Sequence, residues 1–232
     1  MSDFLIKLEA YSANNQSGFL DGHQFVSDLC YMESTTTKTT LGLNLPTDPR
    51  WVDLAAMSLQ DILTDHAFCE QKAASTMISM VQMHSDKPEL VDALSPVVTE
   101  EWGHFRMVLA ELKKRGLELG LQRPDDYIKT LMKGKPKGES RDFLFLDQLL
   151  ICALIEARSC ERFKMLSEKL EDEGLQKFYH QFMVAEAAHY RLFLDLAKTY
   201  FPEDRVMKRW DYWLKYEADF LSKMEVRGDR MH

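Results

Sequence analysis

The stretch Glu100-Glu101-Trp102-Gly103-His104-Phe105 (EEWGHF, 100–105) sets a carboxylate at Glu101 and an imidazole at His104, three residues apart. The stretch AEAAHY (185–190) repeats the arrangement with Glu186 and His189. On a helix, positions i and i+3 are neighbours about 60° apart, so both side chains can grip one ion together. Two matches are only suggestive by themselves; their surroundings carry the specificity. Each is preceded, one helix upstream, by a glutamate on an apolar stripe: Glu70 lies 31 residues before Glu101, and Glu156 lies 30 before Glu186. The flanks echo as well, EQKAAS (70–75) against EARSCE (156–161), as in a duplicated helical hairpin.

The neighbours of these acids at helical spacing are apolar. Glu70 shares its face with Leu63, Ala67, Ala74 and Met77, and Glu156 with Leu149, Cys152, Ala153 and Phe163. Val97, Val98, Phe105 and Val108 surround Glu101, while Phe182, Met183, Tyr190 and Phe193 surround Glu186. Four buried carboxylates without partners would each cost several kcal/mol or more. Two divalent cations would balance the four charges, with two imidazoles completing the shell, which is the di-iron or di-manganese set of a carboxylate-bridged helical bundle. The competing reading pairs these acids with Lys72, Arg158 and similar cations. Glu161 competes with Glu156 for the third-helix role but breaks the matched spacing. His66, one turn before Glu70, is either a supporting group or a core histidine, with the core role favoured, and Glu100 reads as a surface or supporting acid. The small residues Ala73, Ala74, Ala153, Ala157, Ala187 and Ala188 either leave room for a substrate or permit close helix packing.

Outward from this core the chain reads as all-α. A short helix is expected over 49–57, entered at Asp48-Pro49, and a long one over about 58–84 with Ser58 and Asp61 as a capping pair. A second long helix, about 89–115, stops at Gly116, with Pro96 expected to kink or restart it at Ser95. A connection spans about 116–140, followed by helices over about 141–169, 175–200 and 203–224. Two hairpins joined by a long crossover predict a ferritin-like four-helix bundle with additional helices. Residues 1–46, with the run STTTKTT (34–40), read as an arm or linker of unknown role, and 47–232 as the catalytic domain.

Composition bounds the function classes. Hydrophobic residues make up 45% and charged residues 28% of 232, as in soluble globular chains. No apolar run approaches the roughly 20 residues that span a bilayer, and the N-terminus lacks a signal-peptide pattern, so a cytoplasmic address and no membrane partner are expected. The four cysteines form no C-x-x-C pair, against a disulfide scaffold or a cysteine zinc site. Net charge is −8, yet the segment 113–141 holds Lys113, Lys114, Arg115, Arg123, Lys129, Lys133, Lys135, Lys137 and Arg141 against four acids and nets +5. A basic segment on an acidic body is the electrostatic footprint of phosphate contact, with a solvated loop as the bland alternative. In the last helix Trp210, Tyr212, Trp213, Tyr216 and Phe220 read mostly as packing.

The pieces DHAFCEQKAAS (65–75), EEWGHF (100–105), IEARSCERF (155–163) and AEAAHYRLF (185–193) resemble the bacterial tRNA 2-methylthio-isopentenyladenosine hydroxylases, as does LPTDPRW (45–51). The resemblance covers about 41–232. It implies a non-haem di-iron monooxygenase acting on the isopentenyl group of a modified adenosine beside the tRNA anticodon. It further implies Glu70, Glu101, His104, Glu156, Glu186 and His189 as the metal-binding catalytic set. Two iron ions (manganese is possible), dioxygen as co-substrate, an external electron donor and tRNA are the expected cofactors and partners, with oligomeric state open. The alternatives are a ferritin-like iron-storage protein, against which the lysine-rich crossover speaks, and a quinone-type di-iron hydroxylase, which would need a membrane-docking helix that 203–224 fits poorly.

Overall fold

A computed structural model describes residues 40–232; residues 1–39 of the arm expected over 1–46 lie outside the described residues. After a single 3-10 turn at Thr40–Gly42, seven α-helices follow in these residues: α1 (Arg50–Met57), α2 (Leu59–Met83), α3 (Pro88–Lys114), α4 (Asp126–Lys133), α5 (Arg141–Lys169), α6 (Glu173–Tyr200) and α7 (Glu203–Leu221). The α2/α3 and α5/α6 hairpins form the four-helix bundle, and α7 packs on α5. The architecture is the ferritin-like one expected.

Helix ends follow local chemistry. Asp125, Ser140 and Asp172 accept from the backbone N–H three residues on, at the starts of α4, α5 and α6, each satisfying one orphan donor of a first turn. At the end of α3, Gly116 takes a positive φ, and the Leu117 N–H to Leu112 and Gly116 N–H to Lys113 bonds close a Schellman cap. Asp48 accepts from the Arg50 N–H ahead of α1.

Three expectations need correction. Ser58 makes no side-chain capping bond to α2. Pro96 neither breaks nor restarts α3, which runs unbroken from Pro88 to Lys114; Pro96 and Asp92, whose carbonyl loses its i+4 donor there, are both exposed, so water can satisfy that carbonyl. The 116–140 connection contains α4. Its Tyr127 and Leu131 are buried, and α7 holds it from outside. The Tyr212 hydroxyl donates to the Gly134 carbonyl and the Tyr216 hydroxyl to that of Thr130. A Cβ at Gly134 would sit 2.6 Å from the Tyr216 ring, so only glycine admits this approach.

The packed chain begins before residue 47. Leu41 and Leu43 are buried, and the segment is tied down by Arg158 of α5. That guanidinium, buried with Glu161 and Glu217, donates to both oxygens of Glu217 on α7, to Glu161, and to the half-buried Leu45 carbonyl and Thr47 hydroxyl. Glu217 also accepts from the Tyr127 hydroxyl of α4, and Glu161 from the Thr47 hydroxyl. One buried cation thus joins α5, α7 and the entry strand, and α4 through Glu217. Replacing Arg158 with Met should lower the unfolding free energy by about 3–5 kcal/mol, because two buried carboxylates lose their cation. Loss of the exposed Lys223–Asp219 pair should cost under about 1 kcal/mol. Urea denaturation of the two variants checks the contrast.

Candidate metal centre

The α2, α3, α5 and α6 helices each direct at least one acid to the bundle axis. Glu70, Glu101, His104, Glu156, Glu186 and His189 are all buried. Their ligand atoms form two overlapping clusters, Glu70 with Glu101, His104 and Glu186, and Glu101 with Glu156, Glu186 and His189. In each cluster one atom per residue lies within 4.8 Å of the others. Glu101 and Glu186 belong to both. Each cluster, with Glu101 and Glu186 common to both and one further glutamate and one imidazole of its own, could hold a cation.

The atoms are close without bonding one another. His189 Nδ1 lies 2.8 Å from Glu101 Oε1, and His104 Nδ1 lies 3.3 Å from Glu70 Oε2 and 3.6 Å from Glu101 Oε2. Yet both Glu101 oxygens, Glu70 Oε2, His104 Nδ1 and His189 Nδ1 close no hydrogen bond. Buried polar atoms rarely go unsatisfied. Lone pairs that converge on common points without meeting a donor fit cations at those points. A metal centre therefore fits the residues present.

Protonation follows from the same crowding. Burial holds the Glu70 and Glu186 carboxyls well above the usual range, and it holds Glu156 at about 7. Burial pushes Glu101 upward too, but His104 and His189 outweigh it and keep that carboxyl below its ordinary value. Burial disfavours the charged imidazole of His104, yet Glu101 and Glu70 raise it to about 10. Without metal, protons on these groups balance the site, and divalent cations would displace them.

The rival ion pairs do not form at these acids. Lys72 bonds Asp125 at 2.5 Å, and Arg158 serves Glu161 and Glu217. Glu161 faces Thr47 and Arg158, away from the clusters, so Glu156 takes the third-helix position. His66, for which a core role was favoured, supports the site: its Nε2 lies 2.7 Å from Glu70 Oε1 while its ring packs among Phe163, Tyr179 and Phe182. Its i, i+4 spacing to Glu70 was the available signal. Of the small residues, Ala73 lines a cavity, whereas Ala74, Ala153, Ala157 and Ala187 are buried at helix contacts.

That cavity, about 320 Å³, reaches Glu70, Glu101, Glu156 and Glu186 from between α2 and α5. Met77, Ile151, Cys152 and Ile155 give it apolar walls, Ile128 and Met132 of α4 flank it, and Lys72, Asp125, Lys135 and Gln148 supply polar groups. Sequence reasoning missed its α4 side and His232, which donates to or accepts from Ser159 at 2.9 Å. A larger cavity of about 450 Å³, beside Arg158 and Arg162, touches none of the six residues. Among the described residues no helix is long and apolar enough to cross a membrane.

The family model described as tRNA-(ms2io6A)-hydroxylase (MiaE) matches residues 34–232. The chain is 37% identical over 158 residues to the tRNA 2-(methylsulfanyl)-N(6)-isopentenyladenosine(37) hydroxylase of Pseudomonas putida, a match covering 68% of this chain and 76% of the relative. The enzyme of the same name from Salmonella typhimurium is 28% identical, with 77% and 83% covered. Among solved structures, Protein 43 with aldehyde deformylating oxygenase activity from Synechococcus superposes with a TM-score of 0.76 at 35% identity, over 82% of this chain and 94% of that one. With a family model spanning the whole described bundle, and the paired glutamate and histidine clusters at its centre, this chain belongs to the tRNA-(ms2io6A)-hydroxylase family.

Proposed function

We propose that this protein is a di-iron monooxygenase that hydroxylates the isopentenyl group of 2-methylthio-isopentenyladenosine next to the tRNA anticodon. The observation that carries this reading is the joining of two overlapping carboxylate–histidine clusters to a cavity with apolar walls and a few polar groups. Glu70 and His104 would hold one iron, Glu156 and His189 the other, with Glu101 and Glu186 bridging. The bound irons would supply the dioxygen activation that hydroxylation of a C–H bond requires, with electrons from an external donor.

The chain's own residues account for substrate placement. Met77, Ile151, Cys152 and Ile155 would bury a short branched alkenyl tail against the carboxylates. Gln148, Lys72, Asp125 and Lys135, polar groups of the same lining, would offer hydrogen bonds to a nucleobase.

The basic segment divides in the fold. Lys114 and Arg115 pair with Glu111, Arg115 also with Asp172, Arg123 with Asp61 and Asp229, Lys129 with Asp126, and Arg141 with Asp86. Lys133, Lys135 and Lys137, at and beyond the end of α4, have no carboxylate within 4 Å among the described residues. Lys113, at the end of α3, has none either, but Lys135 lines the cavity, and Lys133 and Lys137 lie within two residues of it, so these three are the cations we assign to tRNA phosphates. In α7, Trp210, Trp213 and Phe220 are buried as packing, which leaves less of that helix for base stacking.

Nucleoside analysis of modified tRNA incubated with iron-loaded protein, a reductant and dioxygen should reveal the hydroxylated nucleoside; its absence under all three would refute the activity. Glu101→Ala or His189→Ala should sharply reduce bound iron, whereas Glu161→Ala should leave iron content near normal and instead lower stability. Metal analysis beside a denaturation curve separates the two effects. Ferrous iron added to metal-free protein should stabilise it by about 2.7 kcal/mol for each ion bound at a hundredfold excess over Kd. Reversing Lys133, Lys135 and Lys137 to Glu should raise the Kd for tRNA and reduce the slope of log affinity against log salt by about 2. An unchanged slope would move the binding face to residues 205–216.

A further inference from the structure

The two candidate imidazoles converge on one carboxylate at their outer ends. Glu100 Oε2 lies 3.3 Å from His189 Nε2, and Glu100 Oε1 lies 3.9 Å from His104 Nε2. The inner nitrogens, both Nδ1, face the Glu70 and Glu101 oxygens. Glu100 arises from α3 and His189 from α6, so the contact crosses between the two hairpins. The Glu100 side chain is 49% exposed, and among the described residues it has no Lys or Arg within 4 Å. His189 Nε2 is buried and closes no hydrogen bond of good geometry. It is a donor without an acceptor, next to an acid without a cation.

We propose that Glu100 is a positioning residue for both metal-bound histidines, accepting from His189 Nε2–H with one oxygen and from His104 Nε2–H with the other. This rests on the di-metal reading above. An imidazole that donates through Nε2 presents its Nδ1 lone pair inward, which is the tautomer a cation at either cluster needs. Because the rings belong to different hairpins, one carboxylate sets the orientation of a ligand at each cation position and ties the two positions together. Its half-exposed side chain has room to turn through the small rotation that brings both oxygens into line. The neighbouring glutamate pair thus splits its work by helix geometry. Glu101 points to the axis, and Glu100, about 100° round α3, passes behind the two rings.

The two oxygens are not equivalent to an amide. In Glu100→Gln the amide oxygen can accept from one imidazole, but the amide N–H₂ would face the other ring's N–H. Titration of metal-free full-length protein with cobalt(II), followed by its visible absorption, distinguishes the cases. The unaltered protein should take up two ions. Glu100→Ala should weaken both, each by roughly 10–100-fold, the usual consequence of losing an outer hydrogen-bond partner of a ligating histidine. Glu100→Gln should split the titration, one ion held nearly as before and the other weakened, with a changed cobalt spectrum. Thermal unfolding of the metal-free variants should match the unaltered protein, since a half-exposed side chain contributes little packing. If both variants bind two ions with unaltered affinity and spectrum, the positioning role is wrong while the metal centre stands. If the unaltered protein itself binds no cobalt or iron, the metal reading and this inference both fall.

Discussion

Four glutamates buried at the axis of one bundle set the terms for everything around them. Each stands among largely apolar neighbours on its own helix and is buried, and none forms an ion pair with a lysine or arginine among the described residues. Such a group is tolerable only if its charges are balanced on the spot. The register of all four long helices serves that end. Glu70, Glu101, Glu156 and Glu186 reach the same level of the bundle, and two of them are shared between two clusters. Protons balance the site without metal, and the lone pairs left without donors mark where cations fit.

A second polar layer lies on the opposite side of α5. Glu156 and Arg158 are two residues apart, about 200° round the helix, so one faces the clusters and the other faces away. Arg158 and Glu161, three apart, return to the same side and meet there. IEARSCERF (155–163) therefore serves two sites at once. This explains why α5 is buried nearly all round rather than along one stripe. It also explains why α7 and the 41–47 segment are fixed parts of the body: both are bound to the Arg158 network. A similar buried arrangement recurs where Asp147 accepts from Arg209 and from the Trp213 indole, fastening α7 to α5 a second time.

The cavity depends on both layers. Its floor is the carboxylate set, its walls are α2 and α5, and α4 beside it is kept in place by α7 through the close approach at Gly134. A segment of sequence that reads as a charged linker is in this way made part of the site. Five of its nine cations are paired with acids of the same body, and of the four without a carboxylate partner among the described residues Lys135 lines the cavity.

The sequence by itself determined the helical class, the two hairpins and the six clustered residues. Those features rest on periodicity and on spacing within single helices, where i, i+3 and i, i+4 relations hold whatever the neighbours do. It also carried the choice of Glu156 over Glu161, because duplicated hairpins of equal length bring equivalent positions to one level. What it could not decide were relations between helices. That Glu101 and Glu186 are the shared acids, that Glu100 stands behind a histidine from another hairpin, and that Lys72 pairs with Asp125 all depend on how far apart the helices pack and how each is rotated. Pro96 shows the same limit from the other side: the carbonyl it strips of a donor lies on an exposed part of α3 where water can reach it, and only the folded chain shows which carbonyls do.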